Sequence, residues 1–557
     1  MNEAQPLRRS FIAGREALFL WVVSLLVFMF GIWHQPFINF ETRFAVFAQE
    51  MLLNGLTLFP TTYGKPYPDY PVTSTVLIWL FSLPFGQVTK FSAVLPTALA
   101  SATVVALTYK LFAEYSREWG ILAVGFEFLT VTFLADARSI SLDQIVSAIC
   151  LSAFYLTHLS YRKGLALPMK RLVFLLLSGF LIRGPIGVVL PAGVVLSHLL
   201  ATSKWGDVFK FAAWSAVTLV ACATAQLGLA WIIYGQEFVN DIIKMQAVSR
   251  FADSAPLPKY YYFSSSLWNY ALSYPIAISV ALMALYFKFI KRSTIGNKEH
   301  SPIIMILLCW IAILFVGLSI PETKKVRYLL PAVPALAGLA SYAFINNDLS
   351  LMKWVRRCSS LVLIILPFLA AVLVYTQKGR FESFGLNHNV AMGVFLSLFL
   401  ANISMAIFQY RNEPVLSAAF MFINILAALY LKIAIVEPID LRLHDTSKFV
   451  GRIESLIEKN PGNLLFYKEN PDGLPIKYLV NAKADIIPEF IVDLESIKNS
   501  RTAVWLLAKE TNLDDIKKAL INTSSVIYRE RFGDLPYLAV FVPAAPHDPV
   551  PSVRALP

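Results

Sequence analysis

Ionisable side chains recur in the polar intervals of this chain, and each interval lies beside a long apolar run. The first such interval contains Glu41, Arg43, Lys65, Asp69 and Tyr70. Later intervals add the following residues: Arg138 and Asp143 in ADARSISLD, Arg183 in IRGP, Arg250 further along, and Lys324, Lys325, Arg327 and Tyr328 in PETKKVRYLLP. Carboxylates among many cations suit a reaction in which a base activates an acceptor while the cations hold a departing phosphate. We therefore expect these residues to converge in one site.

Several of these residues also have a structural interpretation. Arginine and lysine side chains near a helix end commonly extend to lipid headgroups, which would account for Arg138. Asp143 could pair with Arg138, five residues before it, and Glu41 at a helix start could simply complement the helix dipole. An ionisable group within a membrane is costly, however, and this cost favours a functional role for Asp143.

The composition is that of a polytopic membrane protein. Of the 557 residues, 57% are hydrophobic and 15% are charged, which excludes a disordered chain and an ordinary soluble enzyme. The net charge of +12 does not indicate a nucleic-acid partner, because lysine and arginine stand in short clusters between apolar runs, as the positive-inside rule predicts. The cysteines lack the spacing of a zinc site or a disulfide framework. We expect no metal site and no required cofactor, although acids such as Asp69 could bind a divalent ion adventitiously.

Long apolar runs predict the membrane spans, since a helix needs about 20 apolar residues to cross a bilayer. This criterion gives thirteen spans, near residues 17–33, 91–113, 118–135, 142–161, 170–182, 185–201, 208–234, 264–288, 302–320, 328–346, 355–376, 390–409 and 415–436. Arg183-Gly184-Pro185 would be either a kink in one long helix or a turn between two helices. The turn is favoured, because one long span would place the later basic cluster at 288–298 on the wrong face.

The same charge pattern predicts the topology. With a cytoplasmic N-terminus, nearly every basic cluster lies inside, and residues 39–90 and everything after about 436 lie outside. In the first outer loop, residues 41–54 have apolar side chains at helical spacing and predict a helix in the membrane interface. A second short helix is expected at 73–84. The run Tyr260 to Tyr262 is typical of an interfacial aromatic belt.

The last part of the chain has frequent charges and short apolar runs, which indicates a soluble domain. We divide the chain into a membrane domain at 1–436, including the 39–90 loop, and an α/β domain at 437–557. The expected elements of this domain are strands at 463–467, 503–507 and 537–542, helices at 446–459 and 513–522, and a Pro-rich tail from Ala544. The predicted fold class is therefore an α-helical polytopic membrane protein with a C-terminal soluble α/β domain.

Five motifs occur in an order that resembles one family of membrane enzymes. They are ETRFAVFAQEMLLNG, YGKPYPDYP, ARSISLDQIVSA, IRGPIGVVLP and KKVRYLLPAVP. Together they cover residues from about 40 to 330 and are similar to the motifs of the GT-C membrane glycosyltransferases, which include protein O-mannosyltransferases and lipid A aminoarabinose transferases (ArnT-like). The span count and the outer α/β tail resemble the aminoarabinose branch. The resemblance implies a GT-C fold, a polyprenyl-phosphate-linked sugar donor, a site on the periplasmic face of the bacterial inner membrane, and inversion at the anomeric carbon.

Two motif positions differ from the family's pattern. The signature Asp-Glu-x-Arg-Tyr reads Phe40-Glu41-Thr42-Arg43-Phe44, so Phe40 stands at the usual catalytic aspartate. The signature Glu-Lys-Pro reads Asp69-Tyr70-Pro71, which keeps an acid and loses a lysine near the donor phosphate. Four other positions fit the pattern: Asp143, Arg183, Arg327 and Tyr328.

The resemblance implies a glycosyltransferase that moves a sugar from undecaprenyl phosphate to lipid A or another envelope glycan. Glu41, one residue from the lost aspartate, or Asp143 would be the catalytic base. The substrate-binding residues would be Arg43, Lys65, Asp69, Tyr70, Arg138, Arg183, Arg250, Lys324, Lys325, Arg327 and Tyr328. A catalytically inactive relative, a protein O-glycosyltransferase and a polyprenyl-lipid transporter are the alternatives. The sequence contains no internal repeat of the kind that transporters tend to show, which favours an enzyme.

Overall fold

Helices dominate the structure, a computed structural model of the chain. It describes residues 4–251, 256–293, 295, 297–346, 349–409, 415–482, 486–498, 500–520 and 525–544. The predicted Pro-rich tail lies, beyond Ala544 itself, outside the described residues.

The helices follow one another closely along the chain. The first twelve are α1 (Ala4–Met29), α2 (Glu41–Asn54), α3 (Thr73–Ser82), α4 (Lys90–Ala113), α5 (Arg117–Phe128), α6 (Val131–Ala137), α7 (Leu142–Arg162), α8 (Met169–Arg183), α9 (Ile186–Ala201), α10 (Trp205–Ile243), α11 (Ser249–Phe251) and α12 (Tyr261–Asn269). The next twelve are α13 (Ser273–Phe289), α14 (Ser301–Ser319), α15 (Val333–Ile345), α16 (Ser350–Thr376), α17 (Lys378–Ser383), α18 (His388–Gln409), α19 (Val415–Tyr430), α20 (Glu437–His444), α21 (Ser447–Lys459), α22 (Pro475–Leu479), α23 (Glu495–Lys498) and α24 (Leu513–Ala519).

Short helical segments of other types and seven strands complete the described elements. Three segments are 3₁₀-helical, Leu83–Phe85, Val326–Ala332 and Glu510–Asn512, and two are π-helical, Lys244–Val248 and Leu431–Val436. The strands are β1 (Thr61–Thr62), β2 (Lys65–Pro66), β3 (Asn463–Tyr467), β4 (Glu489–Ile491), β5 (Val504–Lys509), β6 (Ser525–Phe532) and β7 (Leu535–Val542).

The apolar helices make this a multi-pass membrane protein. Within the described residues, nine helices are long and apolar enough to cross a membrane, and the pair α5 and α6, bent by 75°, would make ten. The remaining three predicted spans fall on α8, α9 and α13, which have 15, 16 and 17 residues. These helices are shorter than the roughly 20 residues of an ordinary span, so the count of thirteen stays a prediction.

Arg183-Gly184-Pro185 is a turn between two helices, as predicted. Gly184 has a φ of +64°, a left-handed conformation that ends α8 and favours glycine. A Cβ atom on Gly179 of α8 would lie 1.9 Å from the carbonyl oxygen of Gly187 in α9. A kinked continuous helix would separate these two residues by about 12 Å at 1.5 Å per residue. Helices α8 and α9 therefore form a close-packed hairpin.

The chain forms two compact units. The first comprises residues 1–34, 56–60 and 66–438, and the second comprises 35–55, 61–65 and 439–557. The second unit thus includes α2, which the sequence analysis grouped with the membrane spans. Hydrogen bonds within this unit account for the grouping, because Arg43 donates to the Asp472 carbonyl at 3.0 Å and Gln49 donates to the Val480 carbonyl at 3.2 Å.

The second unit contains a mixed five-stranded sheet in the order β4-β3-β5-β7-β6. Strand β3 pairs in parallel with β4 and β5, whereas β7 is antiparallel to β5 and β6. Alternate residues of β3 face opposite sides: Phe466 packs with Phe449 of α21, and Leu465 packs with Ile516 of α24. The sheet therefore has a hydrophobic core on each face. The three predicted strands and both predicted helices are present.

Candidate functional site

Asp143 lies at the centre of a buried group of charges in the first unit. Its carboxylate accepts two hydrogen bonds from Arg183, at 3.2 Å from Nε and 3.4 Å from Nη2. Arg327 Nε lies 3.0 Å from the other side of the same carboxylate. The Asp143 side chain is 6% exposed, and those of Arg183 and Arg327 are 4% and 15% exposed. One buried acid thus lies within ion-pair distance of two guanidinium groups.

Helix geometry explains how these three residues meet. Asp143 lies in the first turn of α7, where the helix dipole favours a negative charge. Arg183 is the last residue of α8, where the dipole favours a positive charge. Arg327 belongs to the 3₁₀ segment Val326–Ala332, which precedes α15. The site is therefore formed where the end of one helix meets the beginnings of two others.

Two tyrosine rings lie close to the Arg183 guanidinium. The guanidinium carbon lies 5.3 Å from the ring centroid of Tyr70 and 5.8 Å from that of Tyr328. These are cation–π distances. The Tyr70 ring in turn stacks on Tyr67, with centroids 6.2 Å apart and an angle of 9° between the planes. Tyr70, at the family's lysine position, thus supports a cation instead of supplying one.

Arg250 contacts the same wall of the site from the end of the long helix α10 and its continuation. Its Nη1 donates to the Tyr328 hydroxyl at 2.7 Å, and its Nη2 donates to Asp69 Oδ1 at 3.4 Å. The structure therefore brings together seven of the predicted residues in the first unit: Asp69, Tyr70, Asp143, Arg183, Arg250, Arg327 and Tyr328.

Lys325 adds a fourth cation next to this group. Partial loss of hydration, followed by the positive charges of Arg327 and Arg183, lowers the pKa of Lys325 from 10.5 to about 8. The residue is nevertheless exposed. The ammonium group of Lys324 donates to the carbonyls of Leu257 at 3.1 Å and Pro321 at 2.7 Å, and its predicted substrate-binding role stays a prediction. It is buried and holds the loop that carries Lys325.

Arg138 lies outside the group that surrounds Asp143, so the structural alternative in which it pairs with Asp143 is wrong, while its substrate-binding role stays a prediction. It forms a two-point salt bridge with Glu437, at 2.6 and 2.8 Å. Its remaining N–H groups donate to the carbonyls at the end of α1, those of Val27, Phe28 and Phe30. All five donors of the guanidinium are therefore used within the protein. The sequence separation of 299 residues explains why the Glu437 partner was not foreseen.

Glu41, Arg43 and Lys65 belong to the second unit. Glu41 begins α2, is 2% exposed, and accepts a hydrogen bond from the Ile38 N–H at 3.0 Å. Arg43 donates to the Asp472 carbonyl, and Lys65 is an exposed residue of β2. Ile38 lies three residues before Glu41, so this hydrogen bond joins the Glu41 side chain to the segment that leads into α2, and the catalytic role of its carboxylate stays a prediction.

Sequence reasoning missed two residues that support the site. Tyr262 is buried, not part of an exposed aromatic belt, and its hydroxyl bonds both the carbonyl and the N–H of Lys325 at 3.3 Å. Gln246 of the π-helical segment donates to the carbonyls of Pro68 and Asp69, each at 3.2 Å. Neither residue belongs to a recognisable motif. The run Tyr260 to Tyr262 predicted only a position at the membrane interface.

The group of charges can bind an anion such as a phosphate ester. Four cations line it, and the carboxylates of Asp69 and Asp143 keep three guanidinium groups oriented. Over the described residues, no three histidine, cysteine or acidic side chains are grouped as a metal site requires.

Comparisons with known proteins place this geometry in context. No family model matches the sequence. A protein of Pseudomonas paraeruginosa named undecaprenyl phosphate-alpha-4-amino-4-deoxy-L-arabinose arabinosyl transferase is 24% identical over 373 residues, or 64% of this chain and 65% of that protein. A Proteus mirabilis protein of the same name, numbered 1, is 26% identical over 420 residues and 72% of either chain. The chain thus spans just under two thirds of the first of these relatives.

The fold is that of a solved transferase. The crystal structure of ArnT from Cupriavidus metallidurans bound to undecaprenyl phosphate superposes with a TM-score of 0.71, covering 94% of this chain and 97% of the ArnT chain. The sequence identity is 14%, so this likeness concerns the fold. A second structure of that protein, in the apo state, gives a TM-score of 0.70. The sequence-based expectation of an α-helical membrane fold with a C-terminal α/β domain is confirmed.

Proposed function

We infer that this chain, a member of the ArnT-like GT-C superfamily by sequence and fold, is a glycosyltransferase of the bacterial inner membrane. Its donor would be a sugar linked to undecaprenyl phosphate, and its acceptor would be lipid A or another envelope glycan. The observation that carries this proposal is the group of Asp143, Arg183, Arg250 and Arg327 in the first unit, buried at Asp143 and Arg183 and partly accessible at Arg250, because such a group suits the phosphate that the reaction releases.

The proposed reaction is a single displacement at the anomeric carbon. The acceptor oxygen forms a bond to that carbon while the bond to the donor phosphate oxygen breaks, so the configuration inverts and polyprenyl phosphate leaves. The acceptor proton passes to a carboxylate, for which Glu41 and Asp143 are the candidates. Charge builds up on the leaving phosphate in the transition state, and cations already oriented toward it lower the barrier.

The cationic residues have distinct proposed roles. Arg250 and Lys325 would bind the phosphate, since the hydrogen bond from Arg250 Nη2 to Asp69 is long, at 3.4 Å, and Lys325 is exposed. Arg183 and Arg327, both paired with Asp143, would add positive potential from behind. The distribution of basic clusters supports a cytoplasmic N-terminus, with the site and the α/β domain on the periplasmic side.

Mass spectrometry of lipid A tests the proposed function. Deleting the gene from its host should remove a mass equal to one sugar from lipid A or another envelope glycolipid, and the wild-type gene should restore it. Intact glycolipids alongside missing glycopeptides would instead indicate protein O-glycosylation. Unmodified envelope products with polyprenyl-phosphate sugar retained on the cytoplasmic face would indicate a transporter and refute the enzyme.

The lowered pKa of Lys325 predicts how phosphate binding depends on pH. Because the pKa is about 8 in the folded protein, Lys325 loses its charge as pH rises through 8. The phosphomonoester itself titrates near pH 6 and is fully ionised above about pH 7.5. Binding of undecaprenyl phosphate to the purified protein, measured by fluorescence titration, should therefore weaken between pH 7.5 and 9.5, by about five- to tenfold in all.

Substitution of two lysines separates this effect from a general one. Lys325→Gln should bind the lipid about five- to tenfold more weakly at pH 7 and show a flat profile from pH 7.5 to 9.5. Lys259→Gln, which changes an exposed lysine, should retain the wild-type profile. A Lys325→Gln profile as steep as that of the wild type would exclude Lys325 as the titrating group.

A further inference from the structure

Gln246 connects three segments that surround the group of charges in the first unit. Its Nε2 donates to the carbonyls of Pro68 and Asp69, both at 3.2 Å. Its Oε1 lies on the other side, 3.4 Å from the position that a Cβ atom on Gly184 would occupy. Gln246 thus lies between the loop at 67–71 and the turn that follows Arg183.

The π-helical segment Lys244–Val248 brings Gln246 and Arg250 to the same loop. Arg250 follows four residues later and contacts the Asp69 carboxylate through Nη2, while Gln246 contacts the Asp69 backbone. Single π-helical turns are uncommon and are found mostly at functional sites. One helical segment therefore holds Asp69 twice, once at its backbone carbonyl and once at its carboxylate.

The contact between Asp69 and Arg250 is the weaker of the two that Arg250 forms. Its length is 3.4 Å, whereas Arg250 Nη1 is 2.7 Å from the Tyr328 hydroxyl. The side chains are also partly accessible, 16% for Asp69 and 26% for Arg250. A carboxylate held loosely on an arginine occupies a place that a phosphate oxygen of higher charge density can take.

We propose that undecaprenyl phosphate, the lipid phosphomonoester that the reaction releases, displaces the Asp69 carboxylate from Arg250, and that Gln246 is the positioning residue that keeps the 67–71 loop in place during this exchange. The proposal rests on the proposed function. The two hydrogen bonds from Gln246 go to backbone carbonyls, so they persist when the Asp69 side chain leaves. No covalent bond changes in this step.

The loop has to stay in place because Tyr70 is part of it. The Tyr70 ring contacts the Arg183 guanidinium, and Arg183 is the partner of Asp143. If the loop moved after release of the Asp69 carboxylate, the Tyr70 ring would lose its contact with Arg183 while the phosphate is bound. Because Gln246 holds the backbone of Asp69, the Asp69 carboxylate can leave Arg250 without movement of the 67–71 loop.

Binding of undecaprenyl phosphate to the full-length protein in detergent tests both parts. Asp69→Asn removes the competing charge and should lower the Kd about fivefold, the effect expected for one partly exposed ion pair. Gln246→Met keeps the length of the side chain and removes both donated hydrogen bonds, so it should raise the Kd about tenfold. Gln236→Met, at an exposed glutamine of α10 that donates a hydrogen bond to Asn240 one turn along the same helix, should bind like the wild type.

The stoichiometry of binding distinguishes a positioning role from a folding defect. A partly unfolded Gln246→Met preparation would bind less lipid per protein at an unchanged Kd, and this result would overturn the positioning role. An unchanged or higher Kd for Asp69→Asn would overturn the displacement step. If the wild-type protein binds neither undecaprenyl phosphate nor inorganic phosphate, the proposed function itself is refuted. If the wild type binds undecaprenyl phosphate normally and the variants bind it equally well, only the further inference is refuted.

Discussion

Asp143→Asn is expected to lower sugar transfer by about 10²- to 10³-fold, measured as product formed per milligram of purified protein. The substitution keeps the shape of the side chain and removes the charge that pairs with Arg183 and Arg327 at 3.0 to 3.4 Å. Removing one partner of a buried ion pair typically costs about 3–5 kcal/mol, because the remaining charge stays buried and uncompensated. Here Arg183 and Arg327 would both lose the carboxylate that they share, and we expect both side chains to leave the positions from which they stabilise the phosphate.

Asp241→Asn is the matched control, since it makes the same change at an exposed position of α10. It should leave transfer unchanged. Asp143→Glu keeps the charge on a longer side chain and should recover part of the activity. Full activity of Asp143→Asn, with normal yield and thermal stability, would rule out the role assigned to the buried ion pairs.

Glu41→Gln is expected to lower transfer by about 10²- to 10⁴-fold, the usual contribution of a general base. The side chain is buried, and its Oε1 accepts a hydrogen bond from the Ile38 N–H, which a glutamine oxygen can also accept. The start of α2 should therefore remain intact while the proton acceptor is lost. Transfer can be followed in membranes supplied with the lipid-linked donor, and a preserved Kd for undecaprenyl phosphate should accompany the loss of turnover.

A second glutamate of the same helix provides the comparison. Glu50 accepts hydrogen bonds from the Gly64 N–H at 3.3 and 3.4 Å, and Glu50→Gln should change transfer by no more than a few fold. If Glu41→Gln and Asp143→Asn each retain wild-type activity, no carboxylate proposed for this protein acts on the acceptor, and the mechanism fails. If only Asp143→Asn is impaired, Glu41 is not the general base and Asp143 is the one candidate left of the two.

Much of the fold follows from local patterns that the sequence displays. The helix at 41–54 and the hairpin at Arg183-Gly184-Pro185 were predictable, because apolar spacing and charge distribution are local or additive properties. Strands β4 and β6 were missed for physical reasons. Strand β4 has only three residues, and β6 is an edge strand whose sequence includes the charges of RER. Neither has the apolar run that identifies a central strand.

The candidate site shows where such reasoning ends. Asp143, Arg183 and Arg327 carry motif positions, and their convergence could be expected from the resemblance. The pairing of Arg138 with Glu437 joins residues 299 positions apart and follows only from the packing of the helices. Likewise, the hydrogen bonds of Gln246 depend on a π-helical turn that no propensity in KMQAV indicates.

The glycine contact in the α8–α9 hairpin affects the thermodynamics of ligand binding. Between Gly179 and Gly187 the two backbones touch directly, so no side-chain rotamer sets the distance between the helices one turn below Arg183. A contact without rotamers has no side-chain conformational entropy to lose when a ligand orders the site. The support of Arg183 is therefore already ordered before the donor arrives, and less of the binding free energy is consumed in immobilising it. More of that free energy remains to distinguish the transition state from the ground state.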